Sequence, residues 1–267
     1  MVLNVIKATG EIEPFSEDKV RSSIQRAGIQ KDLQEQALMH VKKELYENIP
    51  TSEIYHHITE YLGKTSSVKS VKYSLKQAIM ELGPTGYPFE DFISEILKKD
   101  GYATWVRSVL TGKCVTHEID VIAQKENKRI MVEAKFHNQP GTRTDVHVPL
   151  YTHSRFEDIK DKYNLAEAWI VTNTKVTSDA LAYSLCVNMR IISWSYPENG
   201  SLRDLVDKFN LHPITILTAL SQNQKQQLLE NHIVLCKDVN ESVLDLLTDL
   251  PPSKKKEILE QIRFLGS

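Results

Sequence analysis

The sequence predicts an α+β chain of several domains, on three observations. Its 267 residues suffice for two or three compact domains. Apolar spacing runs from helical to strand-like and back to helical along the chain. The run Gly83-Pro84-Thr85-Gly86-Tyr87-Pro88 breaks that periodicity more sharply than any other stretch. The expected divisions are a mostly helical domain with a short β-hairpin over 1–84, an α/β domain with a mixed sheet over 85–208, and a small helical domain over 209–267.

In the first domain, Thr9-Gly10 sits between two short extended stretches and marks a hairpin turn. Ser16 is placed to cap a helix whose first turn holds Glu17 and Asp18, favourable charges at a helix N-terminus. Val20, Ile24 and Ala27 continue it, and Gly28 is the expected stop. Leu33, Ala37, Val41 and Leu45 mark a second helix, and Ile54, Ile58 and Leu62 a third beginning at Pro50-Thr51-Ser52. Val68, Val71, Leu75, Ile79 and Leu82 mark a fourth. In the second domain a helix carries Phe89, Phe92, Ile93, Ile96 and Leu97. Strands are expected over 103–110, 115–123 and 129–136, then helix 152–163, strand 168–172, helix 178–187 and strand 190–194. That alternation reads as a mixed α/β layer. The third domain repeats leucine and isoleucine at helical spacing between a polar stretch at 221–227 and the turn Pro251-Pro252-Ser253.

Net charge is −2. No division is basic: Lys and Arg against Asp and Glu number 11 and 11 in 1–85, 16 and 17 in 86–208, and 6 and 7 in 209–267. A nucleic-acid partner therefore requires cations gathered on one face. Cys114, Cys186 and Cys236 are odd in number and form no C-x-x-C pair, which argues against a disulfide framework or a structural zinc site. No apolar run approaches the roughly 20 residues that cross a bilayer, and the opening residues lack a signal-peptide pattern. A cytoplasmic protein without a membrane partner is expected.

The chemically informative stretch is His117-Glu118-Ile119-Asp120-Val121-Ile122, a turn, and Ile130-Met131-Val132-Glu133-Ala134-Lys135. On a strand, Ile130, Val132 and Ala134 share one face while Glu133 and Lys135 share the other. A tight turn brings Asp120 beside Glu133, since paired strands lie about 4.8 Å apart. Two carboxylates and a nearby carbonyl suit a hard cation such as Mg²⁺ or Mn²⁺, which takes oxygen ligands and keeps several waters. Asp120 and Glu133 are the candidate ligands, the Ala134 carbonyl a third, and Lys135 the group that orients water or stabilises developing charge. Arg143 and Arg155 are candidate phosphate contacts. The turn Leu110-Thr111-Gly112-Lys113-Cys114 is no phosphate-binding P-loop, because Cys114 stands where a hydroxyl would hold Mg²⁺.

These residues resemble the PD-(D/E)xK nuclease superfamily, in particular its Mrr-like restriction endonuclease branch. The resemblance rests on Gly86-Tyr87-Pro88-Phe89-Glu90 opening a helix, Glu118-Ile119-Asp120 on a strand, and Glu133-Ala134-Lys135 on the next. It implies a metal-dependent DNA endonuclease, with Glu90 as a further acid at the metal site. Residues 1–82 resemble the ATP-cone, a nucleotide-binding regulatory module. The matching residues are Val5-Ile6-Lys7, Gly10, Glu13, Phe15 and Lys19. That resemblance implies ATP or dATP as an effector, with Val5, Lys7, Gly10, Glu13 and Lys19 at the site and the two lysines on phosphates. Where the family usually has Lys-Arg-Asp-Gly, this chain has Lys7-Ala8-Thr9-Gly10, which removes one bidentate phosphate donor. The last domain resembles helix-hairpin-helix DNA-binding modules, with Lys254-Lys255-Lys256 at a helix start. Cleavage of both DNA strands would require two sites, hence a homo-oligomer. The alternative reading is a nucleotide-sensing DNA-binding regulator whose nuclease fold is inactive.

Overall fold

A computed structural model describes residues 3–27, 29–65 and 73–266. The expected helix stop at Gly28, and Val68 and Val71 of the fourth helix, lie outside the described residues. The chain opens with β1 (Asn4–Ile6) and β2 (Ile12–Pro14), an antiparallel pair, and β3 (Ile49–Pro50) adds to β1 in parallel. Gly10, at φ +81°, closes the hairpin turn by donating its N–H to the Lys7 carbonyl at 2.8 Å. Around this small sheet lie α1 (Glu17–Arg26), α2 (Lys31–Glu44) and α3 (Thr51–Thr65). Ser16 caps α1 by accepting the Lys19 N–H. Val5, Ile24, Leu33, Ala37, Val41, Ile49, Ile58 and Leu62 form this unit's own apolar core.

A short helix, α4 (Leu75–Met80), precedes the break, and α5 (Tyr87–Lys99) follows it with Pro88 in its first turn. The five-stranded sheet that comes next comprises β4 (Ala103–Thr111), β5 (Thr116–Lys125), β6 (Lys128–Lys135), β8 (Glu167–Thr172) and β10 (Arg190–Ile192). Its order is β10-β8-β6-β5-β4. β4, β5 and β6 pair antiparallel, while β6, β8 and β10 run parallel. The two-strand pair β7 (Arg143–Thr144) and β9 (Lys175–Val176) lies beyond the sheet's end. α6 (His147–Tyr163) follows β7, and α7 (Ser178–Cys186) lies between β9 and β10.

Strand alternation sorts the sheet's two faces as the sequence pattern requires. Val121, Ile130, Val132, Ala134 and Val171 join the core with Phe89, Phe92, Ile93 and Ile96 of α5. Ile122 and Met131 join a second core with Ile159 of α6. Parallel strands need crossovers that cover the sheet, and α6 supplies the one between β6 and β8.

The final helices are α8 (Leu202–Phe209), α9 (Gln222–Glu230), α10 (Glu241–Leu244) and α11 (Pro252–Leu265), with 3₁₀ turns at Ile214–Ile216 and Cys236–Asp238. Their leucines and isoleucines do not enclose a separate core. They continue the one beneath α5, so that Leu220, Leu235 and Ile258 share a cluster with Phe92. Polar contacts cross the same seam. Thr215 Oγ1 donates to the Ala78 carbonyl at 2.6 Å, Lys225 pairs with Glu81 at 3.2 Å, and Lys237 with Glu95 at 3.1 Å. In the lysine run, Lys254 pairs with Glu257 and Lys255 with Asp245. Among the described residues, no helix is long and apolar enough to cross a membrane.

Ile122 is fully buried on the middle strand of the antiparallel trio, opposite Met131 and packed with Ile159 of α6. Ile122→Ala is expected to cost about 2–5 kcal/mol of unfolding free energy, read from denaturant melts. A cost below about 1 kcal/mol would show that α6 is loosely seated on this face.

Candidate active site

The β5–β6 hairpin is tightly made. Glu126, at φ +53°, helps turn the chain between Lys125 and Lys128, and the ladder runs in register from that pair to Val121 opposite Val132. The next pair in register would be Asp120 and Glu133, and there the ladder ends. Asp120 instead uses its side chain: Oδ2 accepts the Ala134 N–H at 2.7 Å. The carboxylate thus takes the place of a strand hydrogen bond and is held in the gap between the two strands, next to Glu133.

The neighbouring strand is disturbed at the same level. β4 pairs with β5 on both sides of Arg107, through Val106–Val121 and Ser108–Ile119, but Arg107 itself is unpaired at φ +49°. This left-handed conformation is uncommon for a side-chain-bearing residue. The Arg107 guanidinium reaches α5, bonding Glu90 at 3.2 Å and Asp91 at 2.7 Å. Glu90, only 9% exposed, is therefore delivered to the site from the helix side, on a helix fixed by Phe89 and Phe92 in the core.

Glu133 faces α6, where the buried Arg155 (6% exposed) bonds its Oε2 at 2.5 Å. Arg155 also donates to the Glu118 carbonyl, and its Nε is buried without a partner. The expectation that Arg155 is a surface phosphate contact is therefore corrected: a guanidinium this enclosed orients Glu133 instead. Arg143 is exposed on β7. Lys135 lies near Asp120, Glu133 and His137, and among the described residues its ammonium has no ion-pair partner.

Crowding of acids at one buried place shifts their titration. Burial pushes the Glu90 carboxyl up to about 7, with Asp120 adding repulsion. Burial and then Asp120 push Glu133 up to about 7, against the pull of Arg155 and Lys135. Burial raises Asp120 as well, opposed by the Ala134 N–H. Such acids retain a demand for positive charge that the three cations do not meet. Among the described residues no three acids, histidines or cysteines are gathered as a ready-made metal cage. The donor set fits a hard cation taking two carboxylates, a carbonyl and water, and does not fit zinc. In an extended strand a residue's N–H and C=O face the same side, so the Ala134 carbonyl faces the gap where Asp120 sits.

Behind Lys135, the side chain of Asn173 grips His137 through both its backbone groups, at 2.9 and 2.7 Å, and His137 Nε2 lies 3.1 Å from Thr144 Oγ1. Burial and Lys135 lower the His137 pKa. Arg107, Arg155 and Asn173 are site-supporting residues that strand patterning does not single out; only the buried acids' need for counter-charge could have pointed to the arginines.

The first domain also holds its predicted residues together. Lys7 and Lys19 converge on Glu13, at 2.7 and 2.8 Å. Beside them lies a pocket of about 210 Å³, lined by Val5, Glu13, Lys19, Ile54, Tyr55 and Tyr73 among others. Gly10 stands at the hairpin turn and does not line it.

The raised acids set a pH dependence. A carboxyl titrating higher in the folded state than its ordinary value of about 4.3 stabilises the fold below that value, and this stability is lost as pH rises through about 7. Without divalent metal, the protein is expected to melt lower at pH 8 than at pH 6. Glu133→Gln should flatten that fall, measured as melting temperature against pH. A variant profile parallel to the parent's would place the source elsewhere.

Comparison with known proteins assigns families to the parts of the chain. A restriction endonuclease family model, that of the Mrr catalytic domain, matches residues 83–197, and an ATP cone domain model matches residues 3–76. The model for the C-terminal part of AF1548-like proteins matches residues 212–265. An uncharacterized protein of Archaeoglobus fulgidus is 35% identical over 164 residues, covering 61% of this chain and 92% of that protein. The crystal structure of a protein of unknown function, AF1548, superposes with a TM-score of 0.59 at 32% identity, over 68% of this chain and all of that one. The chain therefore belongs to the AF1548-like family, with an Mrr-type restriction endonuclease domain behind an ATP cone.

Proposed function

We propose that this protein is a Mg²⁺- or Mn²⁺-dependent DNA endonuclease whose activity is set by ATP or dATP bound at the ATP cone. One observation carries the reading: Asp120 and Glu133 lie side by side where the β5–β6 ladder opens, with the unpaired Lys135 ammonium two residues along the same strand. Asp120, Glu133 and the Ala134 carbonyl would hold the cation, and Glu90 would stand behind them. A cation held there supplies a water of lowered pKa and polarises the phosphoryl oxygen. Lys135 orients the attacking water and offsets the charge that develops on the phosphate. Arg155 fixes the Glu133 rotamer. Restriction of foreign DNA or DNA processing, in the cytoplasm and by a homo-oligomer with paired sites, is the setting this chemistry suits.

The Arg155–Glu133 bond is the observation that favours the alternative, a nucleotide-sensing regulator that binds DNA through a silent nuclease fold. In that case Arg155 stands in for the cation permanently. DNA binding without cleavage in both Mg²⁺ and Mn²⁺ would select it.

Incubation of supercoiled plasmid with the full chain tests the first reading. Cleavage is expected only with divalent metal. Asp120→Ala and Glu133→Ala should abolish it, and Lys135→Ala should slow it roughly 10²–10³-fold, all three retaining the parent's circular dichroism. Variants that cleave like the parent would place the chemistry elsewhere. For the effector, millimolar ATP or dATP is expected to raise the melting temperature by mass action, and Lys7→Ala with Lys19→Ala should remove the rise. An unchanged melting temperature would leave the ATP cone as a scaffold.

A further inference from the structure

A larger cavity, of about 540 Å³, lies where the ATP cone meets the nuclease domain and the first of the final helices. Its lining draws Ser23 and Tyr55 from the cone, Lys76 from α4, Lys175 from β9, Trp194 from the turn after β10, and Arg203 from α8. The size falls within the roughly 300–1,000 Å³ range of small-molecule sites. Its charge is lopsided: Lys76, Lys175 and Arg203 face Asp207 as the sole acid among the described lining residues. Among the described residues Arg203 has one ion-pair partner, the adjacent Asp204 at 3.2 Å, and neither lysine has one. The two ammonium groups work against each other: both residues are exposed to solvent, yet the Lys76 pKa is lowered by the desolvation of its packed surroundings and then by Lys175. Unpaired like charges kept together at a cleft cost stability unless an anion joins them.

We propose that this interdomain cavity binds an oligophosphate-bearing small molecule, held by Lys76, Lys175 and Arg203 with Trp194 as an apolar wall. The guanidinium suits bidentate phosphate contact and the lysines act as point charges. The site is distinct from the pocket beside Glu13, yet the two are neighbours. Ser23, Tyr55 and Tyr73 line both. Tyr55 and Tyr73 stack with ring centroids 5.0 Å apart, and Ser23 Oγ lies 3.2 Å from the Tyr73 hydroxyl. This shared aromatic wall gives a ligand in one chamber a direct contact with the lining of the other.

Inorganic tripolyphosphate is the probe, titrated into the metal-free full chain at constant ionic strength with melting temperature as the readout. The parent is expected to gain several degrees at millimolar probe. Lys76→Met with Lys175→Met should lose at least half of that gain while Lys7→Ala with Lys19→Ala, which removes any binding at the cone's own lysines, loses less than half. Lys175→Met alone should melt no lower than the parent without probe, because it relieves repulsion, and this guards against a variant that merely misfolds. No gain in the parent would overturn the proposal, as would an equal gain in the Lys76/Lys175 variant. If tripolyphosphate has no effect but the Lys76/Lys175 variant binds a short DNA duplex more weakly, the cations belong to a DNA path and the proposal fails. Because none of these arms reads cleavage, the result stands apart from whether the nuclease reading holds.

Discussion

The bond from the Ala134 N–H to the Asp120 carboxylate is the constraint around which the site is arranged. A β-ladder that continued one pair further would satisfy Ala134 with a backbone carbonyl and leave Asp120 to rotate as an ordinary strand side chain. By ending at Val121 and Val132, the ladder opens a gap and leaves a donor in it. Asp120 fills that need, which fixes its carboxylate in the plane of the sheet and against Glu133. The geometry is possible because the strands on either side are firmly buried: Ile119, Val121, Ile122, Met131 and Val132 are each fully enclosed. A rigid frame can hold two like charges together where a mobile one would let them part.

Holding acids together has an electrostatic cost, and the surrounding cations are distributed to meet part of it. Arg155 takes Glu133 from below the sheet, Arg107 takes Glu90 and Asp91 from the edge strand, and Lys135 remains uncommitted. The division is informative. Guanidinium groups, which stay charged and bond in fixed directions, perform the static tasks. The ammonium, a compact charge on a flexible stem, is the one that the proposed function assigns to the reacting phosphate. The His232 ring from the final helices also reaches Asp91, at 3.2 Å, so the last domain braces the same helix that delivers Glu90.

Much of this was legible in the sequence, for reasons that differ between elements. The β5–β6 hairpin could be read because apolar residues run through both strands around a short polar turn, and side-chain alternation then puts Glu133 and Lys135 on one face. Ser16 could be read as a cap because its chemistry is local. Arg107 and Arg155 could not be read, because their partners lie 17 and 22 residues away on other elements and nothing in a strand or helix period marks them. The helix before β8 starts at His147, five residues ahead of its apolar pattern, since its first turn carries exposed Leu150 and Tyr151 where a core face was sought. The merger of the third domain's core with the second's was equally hidden, because helical periodicity reports that a face is buried and not against what.

A physical route joins the two sites through glycine. Gly141 lies in the loop that leaves Lys135 and His137, at φ +86°, and a Cβ there would stand 3.0 Å from the backbone of Ala8. Ala8 sits in the hairpin turn between Lys7 and Gly10, the turn that presents Lys7 to Glu13. The loop and the hairpin therefore approach closely, and a side chain at position 141 would crowd Ala8 more tightly than ordinary van der Waals contact. Under the proposed function, a hairpin that shifts as Lys7 leaves Glu13 for a phosphate would push on this loop or separate from it. The loop's other end is tied to the catalytic strand through His137, Asn173 and Thr144. Differential contact between two states is what coupling between sites requires; were a bound nucleotide to move the hairpin, backbone would carry the displacement here, where an ångström cannot be absorbed by a rotamer change.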